Sequence, residues 1–391
     1  MLNHEMIERH LAPSLLQAAK QYPVVTLTGP RQSGKTTLVQ WLFKEYNYCN
    51  LEHPEVRRIA IEDPNSFFEL YPDPLIIDEV QNVPELLSWI QVRIDPSPRK
   101  GRYILTGSHQ LRLHQAITQS LAGRTALLRL LPLSMSELAA AGIPFDKGTI
   151  LYQGCMPRIY NDQQEPTQAY RNYFQTYVER DVRQLIKVKH IALFEGFMRL
   201  LAGRIGQPIN FSRLSNDVGI SDVTAAEWLS ILEASFIVFK LPPYFNNFGK
   251  RLIKSPKIYF VEPGLAACLL GIENKEQVMR DPLHGNLFEN MVVIEALKAR
   301  LNQAREPHLY FWRDHLQNEV DLVWDRQRKL VPIEIKSAMT WNRKFTKGIQ
   351  WFQKNIPESL SGYVVYAGDL APSDDHSFKA LNFKNLAKIF D

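Results

Sequence analysis

Two groups of side chains in this 391-residue chain have the types and spacing to do chemistry. In the first, Gly29, Pro30, Arg31, Gln32, Ser33, Gly34, Lys35 and Thr36 follow the order G-x-x-x-x-G-K-[ST], with Thr37 next. Such a loop curls until its backbone N–H groups face phosphate oxygens, and its glycines permit the curl. Lys35 then carries a cation to the β- and γ-phosphates, and the Thr36 hydroxyl suits Mg²⁺. A second apolar run, Leu75 to Ile77, ends in Asp78 and Glu79. Asp78 is the candidate to complete the Mg²⁺ shell, and Glu79 the candidate to orient and polarise an attacking water. A pair of acids points to hydrolysis beyond simple binding. The expected cofactors are ATP and Mg²⁺.

The second group lies near the C-terminus. Residues 318–338 read as a β-hairpin, and a four-residue loop at 326–329 sets Asp321 opposite Glu334, with Lys336 on the same face. Two adjacent carboxylates repel, and a divalent cation removes that cost. A slip of one residue would send Asp321 to the other face. Asp, Glu-x-Lys on adjacent strands with Glu289 on the preceding helix resembles the PD-(D/E)xK nuclease core, which implies Glu289, Asp321 and Glu334 as candidate metal ligands and Lys336 as a candidate nuclease lysine.

These residues need elements to hold them. Residues 4–20 have the periodicity of an amphipathic helix. Apolar runs at 24–29, 75–79, 102–108 and 125–134 read as strands alternating with helices, the pattern of a parallel α/β domain. The phosphate loop sits between the first strand and a helix, as its motif requires. From about 135 to 205 the pattern is helical, broken at 153–158. Residues 210–235 read as two short helices around Gly219, with a capping box from Thr224 to Glu227, and the strands that follow would complete a winged helix. Its second helix carries Asp222, Glu227 and Glu233 but no Lys or Arg, which suits base reading poorly. The wing carries Lys250, Arg251, Lys254 and Lys257, candidates for phosphate contact on DNA. A charged linker at 273–282 separates a second α/β segment with a helix at 283–301 and strands at 308–313, 319–325, 330–337 and 362–368.

The order of loop, Leu-Ile-Ile-Asp-Glu and Ile-Leu-Thr-Gly-Ser resembles the AAA+ class of ATPases. Ser108, or else Thr106, sits where that class carries a sensor residue. Arg124, in Leu-Ala-Gly-Arg, sits where related ATPases carry an arginine finger that acts across a subunit interface. Residues 153–157 resemble an adenine-contacting element ending in Pro157, with Cys155 where a second glycine is usual. Over nearly its whole length the chain is similar to a bacterial and archaeal family that joins an AAA+-like domain to a C-terminal domain of unknown function. Glu262 stands where that family usually has Asp. The C-terminal Asp, Glu-x-Lys arrangement resembles the PD-(D/E)xK nuclease core. The resemblance implies an AAA+-like core over 1–138, a helical lid over 139–205, a winged helix over 206–272 and a restriction-endonuclease-like α/β domain over 280–391. It further implies action on duplex or branched DNA by a homo-oligomer, with a hexameric ring as one form. The other reading is a nucleotide switch whose C-terminal domain only binds DNA or a protein.

Composition agrees with a folded chain. It is 45% hydrophobic and 22% charged, which excludes wholesale disorder. A net charge of +5 permits a nucleic-acid partner without demanding one. The 3 cysteines lie far apart, so neither a disulfide framework nor a zinc ribbon is indicated. No apolar run is long enough for a membrane span, and a soluble, cytoplasmic protein is expected.

Overall fold

The computed structural model describes residues 6–97, 99–108, 117, 119–178, 191–244, 255–369 and 377–391. The chain divides into two compact units. One comprises residues 1–133 with the short pieces 234–236 and 301–305, and the other comprises the remainder.

The first unit is a five-stranded parallel sheet: β1 (Val24–Thr28), β2 (Asn47–Asn50), β3 (Leu75–Asp78), β4 (Tyr103–Gly107) and β5 (Thr125–Arg129), in the order β2-β3-β4-β1-β5. Its strands alternate between two apolar layers. Val24, Leu75, Ile77, Tyr103 and Leu105 pack beneath helices Pro54–Glu62, Pro64–Leu70 and Leu86–Ile94. Val25, Leu27, Ile76, Ile104 and Leu128 pack beneath helices Ala12–Gln21 and Lys35–Leu42. A sheet covered on both faces explains why these strands read as continuous apolar runs. Parallel register brings the ends of β1, β3 and β4 to one edge: Thr28 pairs with Gly107, and Ile77 with Leu105. The segments that follow those ends carry the phosphate loop, Glu79 and Ser108.

Three details differ from the sequence expectation. The first helix begins at Ala12, with Pro13 in its first turn, instead of near residue 4. β2 is an additional strand: Asn47, Tyr48, Cys49 and Asn50 form no apolar run, because only Cys49 is fully buried. β5 stops at Arg129, and Ser134 then caps the helix Met135–Ala140 in a capping box with Glu137.

The second unit begins with the helices Met135–Ala140, Lys147–Gln153, Pro157–Asn161 and Pro166–Tyr173. Helices Ile191–Ala202, Phe211–Val218 and Asp222–Ala234 follow, with an antiparallel pair of strands, β6 (Val238–Leu241) and β7 (Lys257–Phe260). Ser221 caps the last of these helices by accepting from Thr224 N at 3.0 Å, one turn earlier than the expected box at Thr224. The expected linker contains a helix, Lys275–Arg280. Helix His284–Asn302 leads into a sheet of β8 (Leu309–Arg313), β9 (Glu319–Arg326), β10 (Lys329–Lys336), β11 (Gly362–Tyr366) and β12 (Phe378–Asn382), ordered β12-β11-β10-β9-β8. The β8-β9 and β9-β10 pairs are antiparallel; the β10-β11 and β11-β12 pairs are parallel. Among the described residues no helix is long and apolar enough to cross a membrane.

Candidate nucleotide site

At the C-terminal edge of the parallel sheet, Gly29 turns the chain so tightly that a Cβ there would overlap the Leu130 carbonyl oxygen. Gly34 caps the next helix with φ +89°, a left-handed conformation that a side chain would strain. Between them the Ser33 hydroxyl is buried without a hydrogen-bond partner among the described residues. The Lys35 ammonium lies inside the loop and donates to the carbonyls of Gly29 at 3.0 Å and Pro30 at 2.8 Å. Burial pushes its pKa down to about 8, against the upward pull of Glu79 and Asp78. Arg31 pairs with Glu52 at 3.1 Å, Gln32 has φ +61°, and Thr37 is exposed.

Asp78 is fixed by three hydroxyls. Its Oδ2 accepts from Thr36 Oγ1 and from Tyr48 OH, each at 2.9 Å, and its Oδ1 accepts from Thr106 Oγ1. Burial and the Asp78 charge raise the Tyr48 pKa, so the phenol stays a donor. The Thr36 hydroxyl and the Asp78 carboxylate thus meet beside the loop. They are hard oxygen donors of the kind Mg²⁺ takes, so the donor set fits the ion.

Glu79 is held apart from Asp78 by its backbone. Its φ of +55° is unusual for a residue with a side chain, and its N–H donates to Thr106 Oγ1 at 3.3 Å. The turn aims the carboxylate at a polar trio. Oε2 accepts from Gln81 Nε2 and from Ser108 Oγ at 3.1 Å, and Gln81 Nε2 also reaches Ser108 Oγ at 3.1 Å. Ser108 therefore touches Glu79, whereas Thr106 touches Asp78, so the two sensor candidates serve different acids.

Sequence reasoning missed several members of this site. Gln81 lies two residues beyond Glu79, and that proximity was its only signal. Tyr48 sits on the unanticipated strand. Arg9, buried before the first helix, donates to Ser33 O at 2.7 Å and Leu131 O at 2.6 Å, tying the loop to the chain beyond β5.

Arg124 lies at the other edge of the sheet. Its backbone carbonyl accepts from Val24 N at the start of β1, and its guanidinium grips Asp95 at 2.6 and 3.2 Å. Pro157 opens the helix Pro157–Asn161 of the second unit. The turn before it is fixed by Glu262, whose Oε1 accepts from Cys155 N at 2.7 Å and Tyr170 OH at 2.8 Å.

In the second unit, β9 and β10 are joined by a two-residue turn, Gln327-Arg328, with φ of +55° and +67°, and not by four loop residues. The register is nevertheless the one expected: Leu322 pairs with Ile333, so the next rung joins Asp321 and Glu334. Lys336 Nζ bridges them, 2.9 Å from Asp321 Oδ2 and 2.6 Å from Glu334 Oε2. Burial and the Asp321 charge hold the Glu334 pKa well above the usual carboxylate range.

Among the described residues no group of three or more His, Cys, Asp or Glu side chains is placed to hold a metal ion. One expectation is corrected here. Lys257 is not a solvent-facing wing lysine; it is 1% exposed, with Nζ 3.0 Å from Glu289 Oε1 and 2.5 Å from Glu319 Oε1. Lys250, Arg251 and Lys254 lie outside the described residues.

The parallel sheet, the phosphate loop and the two acids at its edge define a P-loop ATPase of the AAA class. Family comparison agrees: residues 21–139 match an AAA domain, 147–276 a domain of unknown function (DUF8612) and 284–386 another (DUF4143). The uncharacterized proteins Rv2008c of Mycobacterium tuberculosis and Mb2031c of Mycobacterium bovis are each 33% identical over 339 residues, 86% of this chain and 75% of theirs. The chain belongs to their family. Among solved structures, the Walker-type ATPase PABY2304 of Pyrococcus abyssi is 14% identical and superposes with a TM-score of 0.45, covering 66% of this chain and 94% of its own.

Proposed function

We propose that the protein hydrolyses ATP with Mg²⁺ and that the cycle acts on DNA, which the second unit recognises without cutting. The observation carrying the hydrolytic part is the division of labour between adjacent acids: Asp78 faces Thr36, whereas Glu79 faces Gln81 and Ser108. In this reading Lys35 and the loop N–H groups bind the β- and γ-phosphates. Thr36 and Asp78 would hold Mg²⁺, which supplies charge neutralisation at the phosphates when bound. Glu79 accepts a proton from the attacking water while Gln81 and Ser108 hold its carboxylate in line. Helices 191–202, 211–218 and 222–234 with β6 and β7 support a winged helix, the helices over 135–173 a lid, and the mixed sheet β8–β12 a restriction-endonuclease-like fold. The basic residues 250, 251 and 254 support the DNA partner.

A second reading, a nucleotide switch with a protein partner, is favoured by the burial of Lys257 and by the acids on helix Asp222–Ala234. One experiment separates the two. ATP turnover is measured alone and with single-stranded, duplex and four-way-junction DNA, beside Glu79→Gln. Stimulation by one DNA form, absent in Glu79→Gln, supports the DNA reading. Turnover indifferent to every form supports the switch. No turnover in the wild type with Mg²⁺ rejects both.

A further inference from the structure

The second unit contains a dense, partly buried ionic cluster whose logic differs from that of a metal site. Four carboxylates converge: Glu289 from helix His284–Asn302, Glu319 and Asp321 from β9, and Glu334 from β10. Three basic side chains meet them. Lys257 of β7 contacts Glu289 and Glu319, Lys336 contacts Asp321 and Glu334, and Arg313 of β8 lies 3.3 Å from Glu319. Tyr259, also on β7, donates to Glu289 Oε1 at 2.6 Å. Most of the negative charge that would otherwise call for a divalent ion is therefore met from within the chain.

The individual oxygens are engaged as well. Glu289 Oε1 takes both Lys257 and Tyr259, and Asp321 Oδ2 takes Lys336 and the Ile335 N–H at 2.8 Å. Space is also closed: a Cβ on Gly348 would overlap Glu334 Oε1. Mg²⁺ demands oxygens at about 2.0–2.1 Å in octahedral array, and an ammonium seated between the same carboxylates repels it. The residues do not fit a divalent ion with Lys257 in place.

We propose that Lys257 is an internal counter-ion that locks the β6-β7 pair onto the C-terminal sheet and closes the carboxylate centre to metal. The centre is then an anchoring device, and the nuclease-like domain is non-cleaving while the lock is shut. Buried ion pairs of this kind add specificity of docking more than net stability. Losing one partner is nevertheless costly, because Glu289 and Glu319 then keep only the Tyr259 hydroxyl and Arg313, one positive charge for two carboxylates.

The test is Mn²⁺ binding to the full chain without nucleotide, read by electron paramagnetic resonance of the free ion. All samples carry Thr36→Ala, which removes the metal ligand at the phosphate loop. With Lys257 present, Asp321→Asn should leave Mn²⁺ binding unchanged, because no ion sits there. Lys257→Met should gain one site, tightening Mn²⁺ binding at least tenfold, and Asp321→Asn in that background should abolish the gain. Thermal unfolding supplies a second readout. Lys257→Met should lower the midpoint, and Lys257→Met/Glu289→Gln should recover part of the loss because the stranded charge is removed. The proposal is overturned if Asp321→Asn abolishes a Mn²⁺ site that exists with Lys257 present. It is equally overturned if folded Lys257→Met gains no site, or if Lys257→Met unfolds at the wild-type temperature.

Discussion

Lys35 carries the sharpest residue-scale consequence of the nucleotide site. Its pKa of about 8 lies below the value of 10.5 for the free side chain, because burial outweighs two neighbouring acids. Between those values the unfolded chain binds the proton that the folded chain has released. Folding stability therefore rises with pH across that window, and the stabilisation is absent below about pH 8. Phosphate reverses the balance by favouring the ammonium. Nucleotide binding at pH 9 should take up about 0.9 proton and at pH 7 about 0.1, seen as a buffer-dependent binding enthalpy in calorimetry. A buffer-independent enthalpy at pH 9 would place the lysine's titration elsewhere. Gln81 donates to the Glu79 carboxylate and, in the proposed mechanism, positions it. Gln81→Ala should lower kcat by about 10- to 100-fold, the scale for a misaimed catalytic group, and leave KM for ATP near its original value. A purely structural Gln81 would instead lower the unfolding midpoint with kcat intact.

At the scale of elements, legibility followed the physics of each segment. β1, β3 and β4 were readable because a sheet covered on both faces demands unbroken apolar runs, and the helix after Gly34 because the loop motif fixes its start. β2 was not, since a short strand with one buried residue carries no periodic signal. The same omission hid Tyr48, and with it one of the three hydroxyls on Asp78. The β9-β10 register was legible from the alternation around Asp321 and Glu334, although the loop length was not. Gln327 and Arg328 give no Asn-Gly signal, yet both adopt positive φ. Lys257 was unreadable for a different reason. A lysine in a basic run looks solvated, and only the fold brings Glu289 and Glu319 to it. The turn offers a direct test. Arg328→Gly relieves a left-handed side chain at a position where glycine is favoured, while its N–H still donates to Asp325 Oδ1. It should stabilise the protein by about 0.5–1 kcal/mol, read as a rise of about 2 °C in the unfolding midpoint. An unchanged or lower midpoint would mean the turn is not strained.

At the scale of the whole molecule, the position of Arg124 bears on assembly. It precedes β5, whose first residue pairs with Val24, whereas the phosphate loop follows Thr28 at the far end of β1. Five-residue strands separate those edges by about 13 Å, beyond the reach of an arginine side chain. Arg124 therefore cannot serve the phosphates of its own subunit. If it serves any, they belong to a second copy, through the head-to-tail contact that generates rings. Its present partner, Asp95, is half-exposed, and a solvent-screened pair of that kind is readily exchanged. Arg124→Ala should then abolish turnover without lowering ATP affinity. Mixing it with inactive Glu79→Gln subunits should restore activity, because each variant supplies what the other lacks. In equal mixture about one interface in four combines an intact Glu79 with an intact Arg124, so about a quarter of wild-type turnover should return. The regained rate should fall on dilution, as assembly does. Wild-type turnover in Arg124→Ala alone, or a mixture that stays inactive, would leave Arg124 as the surface partner of Asp95 and remove the reason for expecting hydrolysis to require a second subunit.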